Sequence, residues 1–140
     1  MIVEGLQFVD TNIIVYAHDL SAGEKYACAK TLLLDLWQAQ TGCISVQVLQ
    51  EFYVTVTQKI KKPLSSDQAS NIIAALSAWK VYTPSALDVI SAIQIHQKQQ
   101  ISFWDAMILH SAARMGCGTL WSEDLNTQKY DTVQVINPFR

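Results

Sequence analysis

Residues 6–17, LQFVDTNIIVYA, decide how the rest of the chain is read. Leu6, Phe8 and Val9 have the strand propensity and the apolar surface of a buried central strand. Asp10 stands where that strand ends. Thr11 and Asn12 follow, residue types that cap helices and turn the chain. Residues 13–17 are apolar and begin a helix. In an open parallel sheet, ligands gather outside the carboxyl ends of the strands. Asp10 is therefore a carboxylate placed where chemistry is done. Its other reading is an N-cap of the helix that follows. Acids elsewhere in the chain have to decide between the two.

Working outward, residues 18–23 (HDLSAG) break the apolar pattern and read as a polar loop. His18 and Asp19 are one pair without other His clusters, too little for a metal site. Residues 24–40 have helical spacing, with Tyr26, Ala29, Leu32, Leu33, Leu36 and Trp37 on the apolar side. Gly42 ends that helix, and residues 43–45 form a second strand. Ser45 is placed to cap a helix over 46–59, whose stripe is Val46, Leu49, Phe52, Tyr53 and Val56. Glu51 lies one residue off this stripe, as solvated surface or leaning over the end of the first strand. Lys59, Lys61 and Lys62 add positive charge at the helix C-terminus, and Pro63 stops it.

The second half repeats the alternation. A helix spans 65–79, capped by Ser65 or Ser66. Val81 and Tyr82 are extended. A helix over 86–99 is expected to turn Leu87, Ile90, Ile93 and Ile95 inward, with His96 at its surface end. The helix over 102–114 opens with Ser102-Phe103-Trp104-Asp105, close to a capping box. Phe103, Trp104, Met107, Ile108 and Ala112 read as its packing residues, and His110 as a face residue without chemistry. Gly116 and Gly118 terminate it. Residues 119–122 form a strand followed at once by Glu123 and Asp124, and 133–136 form the last strand. Strands alternating with helices favour an α/β sandwich, a mainly parallel central sheet flanked by helices.

A chain of 140 residues suits one domain, 1–140, with a real core. Half of its residues are hydrophobic and 16% are charged, the balance of a compact rather than a disordered chain. No signal peptide and no membrane span is evident. Cys28, Cys43 and Cys117 lack metal-ligand spacing and read as free thiols of a reducing cytoplasm. A net charge of −2 argues against a protein that holds nucleic acid by bulk positive charge. It leaves room for one that recruits its own cations.

Four acids stand out by position: Asp10 and Asp124 after strands, Asp105 in a first helical turn, and Glu51 on a helix. Glu123 competes with Asp124 for the last place, and Asp124 is preferred. Carboxylates converging in one cleft would repel one another, and divalent cations remove that repulsion. Mg²⁺ and Mn²⁺ favour carboxylate, water and phosphate oxygens. Such ions activate water and stabilise charge on a phosphate in an in-line displacement. No Cys/His set offers a zinc site. No glycine-rich phosphate loop or nucleophile elbow is present.

The stretches VDTN at 9–12, SVQVLQEF at 45–52, SFWDAMI at 102–108 and LWSEDLN at 120–126 resemble, in order and spacing, the motif series of PIN domains. Within that superfamily the chain is most similar to the VapC-type toxins, over nearly its whole length. The resemblance implies a PIN-like three-layer fold and a Mg²⁺- or Mn²⁺-dependent ribonuclease. It implies that Asp10, Glu51, Asp105 and Asp124 are the acidic quartet, with metal on Asp10, Asp105 and Asp124. Thr11, Asn12 and Ser122 match supporting polar positions. RNA would be held by Lys59, Lys61, Lys62 and Arg114. The expected partners are an RNA substrate, a cognate antitoxin protein and a second copy in a homodimer. Two rivals are a PIN-like module that binds without cleaving and a receiver-type signalling domain. The receiver needs paired acids after the first strand, and Asp10-Thr11-Asn12 supplies one.

Overall fold

The computed structural model describes residues 4–125 and 129–140; Asn126, which ends the LWSEDLN motif, lies outside them. Strand β1 (Gln7–Val9) is fully buried and is followed directly by helix α1 (Thr11–Tyr16). After a single 3-10 turn (Leu20–Ala22) come α2 (Glu24–Ala39), β2 (Gly42–Ser45) and α3 (Val46–Gln58). Next are α4 (Ser66–Leu76), β3 (Lys80–Tyr82), α5 (Ala86–Gln99) and α6 (Phe103–Arg114). The chain closes with β4 (Thr119–Trp121), β5 (Lys129–Tyr130) and β6 (Val133–Ile136).

The sheet order is β3-β2-β1-β4-β6-β5, parallel throughout except for the β5–β6 pair. The fold is therefore α/β with a mainly parallel sheet, as the alternation requires. β5 is the one strand that local pattern did not announce. Two residues long and antiparallel, it exists through its pairing with β6. Successive strands leave β1 in opposite directions, β2 on one side and β4 on the other. This switch point is where an α/β sheet opens a crevice. Phe8, Val9, Ile44 and Leu120 make the strands the centre of the core, joined by Ile13, Val48, Phe52 and Ile108 from the helices. α1, α2, α3 and α4 pack among themselves, while α5 packs on α6 and α6 lies against β2, β4 and β6.

The caps explain most helix starts. Ser45 Oγ accepts from Val48 N–H, Ser102 Oγ accepts from Asp105 N–H, and Ser65 with Gln68 forms a complete capping box. Three expectations are corrected. Gly42 does not end α2: Gln40 does so, in the left-handed region at φ 58°. Gly42 begins β2, and a Cβ on it would stand 2.6 Å from the Trp79 ring. Glycine is needed there for close packing. Gly42→Ala is expected to lower stability by about 1–3 kcal/mol, read as the urea midpoint. An unchanged midpoint would show that Trp79 moves aside freely.

The second correction concerns α5. Its inward residues are Asp88, Ala92 and Ile95. Leu87 and Ile90 are 74% and 53% exposed, and Ile93 also faces solvent. Ile95 is buried as expected, while the covered face of α5 otherwise runs through Ala92, which is fully buried, and Asp88, which has a buried partner on α6. That partner is the third correction. His110 on α6 sits 2.7 Å from Asp88 Oδ1, with both side chains largely buried. Tyr82 OH, Ser85 N–H and Ser85 Oγ also donate to Asp88. Burial acts to raise the Asp88 pKa, but these bonds and His110 outweigh it and hold the carboxyl well below the ordinary range. The Ser85-x-x-Asp88 spacing was a legible capping signal for this acid.

Candidate active site

The site begins with the parallel register of β1 and β4. Val9 pairs with Trp121, so the next residues, Asp10 and Ser122, stand side by side. Asp10 N–H donates to Trp121 O at 2.9 Å, and Ser122 Oγ donates to Asp10 Oδ2 at 2.7 Å. Thr11 N–H donates to Asp10 Oδ1 at 2.7 Å, so Asp10 also caps α1. One Asp10 oxygen starts the helix, as the N-cap reading requires, and the other is held by Ser122. The Asp10 residue is only 7% exposed.

Glu51 comes in from α3, which starts at the end of β2 and packs against α1. Its Oε1 accepts from Thr11 Oγ1 at 2.6 Å and its Oε2 from Gln47 Nε2 at 3.3 Å. Asp105 stands in the first turn of α6. Asn12 Nδ2 donates to Asp124 Oδ2 at 3.1 Å, and Asn12 Oδ1 accepts from Glu123 N–H at 3.4 Å. Asp10, Glu51, Asp105 and Asp124 line one cleft of about 720 Å³, a volume suited to a small ligand. Tyr16, Gln47, Val54, Lys59 and Trp104 line it too.

Glu123 is engaged elsewhere. It accepts from Tyr16 OH at 2.6 Å and pairs with Lys25 Nζ at 2.5 Å. Burial works to raise its pKa, but Lys25 and Tyr16 win and lower it. Asp124, not Glu123, is the acid on the cleft. Of the cations expected to hold RNA, Lys59 lines the cleft, whereas Lys61 and Lys62 are exposed beyond the end of α3. Arg114 lies with Tyr82 and Asp88 at the other end of α6 from Asp105, roughly 13 Å along the helix axis.

The carboxylates act on one another. Burial pushes the Asp10 pKa up to about 6, against the hydrogen bonds of Ser122 and Thr11, and the charges of Glu51 and Asp105 add to the rise. Asp105 is raised mainly by burial, opposed by Ser102, with Glu51 and Asp124 contributing. A divalent cation bound there would relieve this repulsion. The donors are carboxylate oxygens, the chemistry of Mg²⁺ and Mn²⁺. Among the described residues, no set of three or more His, Cys, Asp or Glu side chains forms a ready-made metal cage. The site therefore suits an ion that takes one or two carboxylates and fills its shell with water and phosphate, as Mg²⁺ commonly does.

Sequence reasoning missed two residues of this site. Gln47, four positions before Glu51, bridges it to α6 by donating to Trp104 O at 3.1 Å. The i, i+4 spacing was its signal. Trp104, expected in the core, is 60% exposed at the cleft.

A parallel sheet with carboxylates gathered at its switch point defines a class of α/β protein built to act on ligands at the strand ends. The chain belongs to the PIN domain family, whose model matches residues 8–133. Similar solved structures include FitAB bound to an IR36 DNA fragment, at 19% identity and TM-score 0.72, covering 96% of each chain. VapC20 of Mycobacterium tuberculosis, a toxin that cleaves the sarcin–ricin loop, is 18% identical, with TM-score 0.65 over 91% of this chain and 98% of that one. VapBC2 of Rickettsia felis, bound to a DNA fragment from its promoter, is 22% identical, with TM-score 0.66 over 94% and 98%. No curated protein matches the chain in sequence.

Proposed function

We propose that residues 1–140 form one nuclease domain that hydrolyses RNA phosphodiester bonds with Mg²⁺ or Mn²⁺, as the toxin of a toxin–antitoxin pair. The observation that carries this reading is the convergence of Asp10, Glu51, Asp105 and Asp124 on one cleft of a PIN-family chain. Asp10, Asp105 and Asp124 are the proposed metal ligands, one or two of them on a given ion, with water and phosphate completing its shell. When bound, the ion supplies an activated water and neutralises charge developing on the phosphate. Ser122 and Thr11 fix the Asp10 carboxylate, and Asn12 fixes Asp124. Glu51, held at both oxygens, orients the group beside it rather than binding freely. The direct test is cleavage of a fluorescent RNA with Mn²⁺ and with EDTA. Cleavage only with metal is expected; no cleavage under any divalent ion would defeat the proposal.

Substrate grip falls to Lys59, the cation that lines the cleft among the described residues. Lys59→Gln is expected to raise KM several-fold while kcat changes little, because a phosphate contact away from the reacting centre adds uniform binding. Lys61→Gln and Lys62→Gln should do less. Equal KM values for all four proteins would assign Lys59 to helix-end solvation.

The antitoxin partner is supported by the FitAB and VapBC likenesses. Two exposed apolar surfaces are available to it and to a second copy in a homodimer. One is the Leu87, Ile90 and Ile93 stripe of α5, and the other is a groove lined by Leu20, Leu34 and Trp37. The free thiols of Cys28, Cys43 and Cys117 accord with a cytoplasmic location. No helix among the described residues is long and apolar enough to cross a membrane.

A further inference from the structure

Trp104 is out of place as a packing residue. It sits in the first turn of α6, beside Asp105, with most of its surface in solvent. Its backbone is tied down: Gln47 Nε2 donates to Trp104 O and to Glu51 Oε2, so one side chain links the indole's anchor to the acid cluster. Its ring meets Phe103 edge-on, with centroids 5.0 Å apart and planes at 77°. It therefore has a held backbone and an exposed aromatic surface at the wall of the acidic cleft. The same cleft has apolar lining from Val15, Val54 and Ile60.

We infer that Trp104 is a base-stacking platform, which takes an unpaired nucleobase next to the scissile phosphate. The inference rests on the ribonuclease reading of the cleft. It follows from two halves of one surface: carboxylates suited to a metal-bridged phosphate, and an aromatic face adjoining them. Single-stranded RNA presents its bases to aromatic side chains, whereas a duplex keeps them stacked on one another. Stacking accepts any base, so Trp104 selects for unpaired structure more than for sequence. A cleft with net negative charge gains little from bulk electrostatics, which makes an uncharged contact of this kind more valuable for holding RNA.

The test compares wild type, Trp104→Ala and Trp104→Phe on an unpaired RNA with Mn²⁺. The alanine variant should lose roughly 10- to 100-fold in kcat/KM, chiefly through KM, and the phenylalanine variant should recover most of it. Oligonucleotides with one abasic position, scanned around the cut, should show one position at which wild type loses rate and Trp104→Ala does not. In an Asp10→Asn background, RNA should quench tryptophan fluorescence, and adding Trp104→Phe should remove that quenching. Wild type that cleaves while Trp104→Ala matches it would overturn the stacking and leave the ribonuclease reading intact. Wild type that neither cleaves nor shows quenching would overturn both. A rate loss accompanied by a change of oligomeric state in Trp104→Ala would overturn the inference by assigning the ring to a second copy of the chain.

Discussion

Asp10→Asn is expected to lose RNA cleavage by on the order of 10³-fold while melting at a higher temperature than wild type in EDTA at pH 7. The two effects have one cause. Asp10 is buried and its pKa is raised from 3.8 to about 6, so the metal-free fold carries a charge that burial and its neighbours oppose. A raised carboxyl pKa means that the folded chain binds a proton more readily than the unfolded one. The penalty is complete above about pH 6, shrinks as pH falls through that value, and is gone below the unfolded value of 3.8. A shift of this size corresponds to about 3 kcal/mol. Asparagine keeps only part of the gain, because its amide has one accepting atom where the carboxylate used two. A rise in Tm of roughly 5 °C is expected, fading towards pH 4.

Mn²⁺ should then reverse the order, stabilising wild type by mass action and the variant less. Asp124→Asn should likewise gain less from Mn²⁺ than wild type does. Melting curves with EDTA and with Mn²⁺ decide the matter. Asp10→Asn melting below wild type in EDTA, with equal metal shifts in every protein, would show that these acids share no site. Asp105→Asn should lose activity likewise. Ser102 supplies the cap of α6, so a purely structural Asp105 would instead leave cleavage intact on change to Ala, with a stability loss of about 0.3–1 kcal/mol for an acid in the first helical turn.

His110→Ala is expected to cost about 2–4 kcal/mol of stability, roughly 10 °C in Tm, with the cleavage rate of the folded protein unchanged. The Asp88–His110 pair is buried between α5 and α6. Removing the imidazole leaves Asp88 with a missing partner and leaves a cavity where two helices meet. The remaining bonds from Tyr82 and Ser85 keep the loss below that of an isolated buried charge. Because the Asp88 pKa is lowered, its stabilisation is present above the unfolded value of 3.8 and is lost only as pH falls further, towards the folded value. A mutant cycle with Asp88→Asn isolates the pair. Urea midpoints that add without coupling would show that the two residues stabilise the fold independently. The cleavage readout separates this pair from the acidic cleft, where a change should act on rate.

Local pattern along the chain determined the alternation of strands and helices, the serine caps, and an acid at the end of β1, at the start of α6 and after β4. These are properties of a few consecutive residues: strand propensity, cap chemistry and the place where apolar runs stop. Tertiary structure decided which of them meet. Ser122 reaches Asp10 across 112 positions because β4, rather than β2, lies on that side of β1. Glu123 and Asp124 are neighbours in sequence, and only the positions of Lys25 and Tyr16 draw the first away and leave the second on the cleft. Helical spacing named the apolar residues of α5 but could not say which face is covered. The covered face carries Ala92 and the Asp88–His110 contact, and Leu87 and Ile90 lie outside it. Trp104 reads as core by its chemistry and stands in solvent by its place at the open end of the sheet. A periodic pattern records the spacing of side chains along one element. What covers each face depends on chain that is distant in sequence and near only after folding.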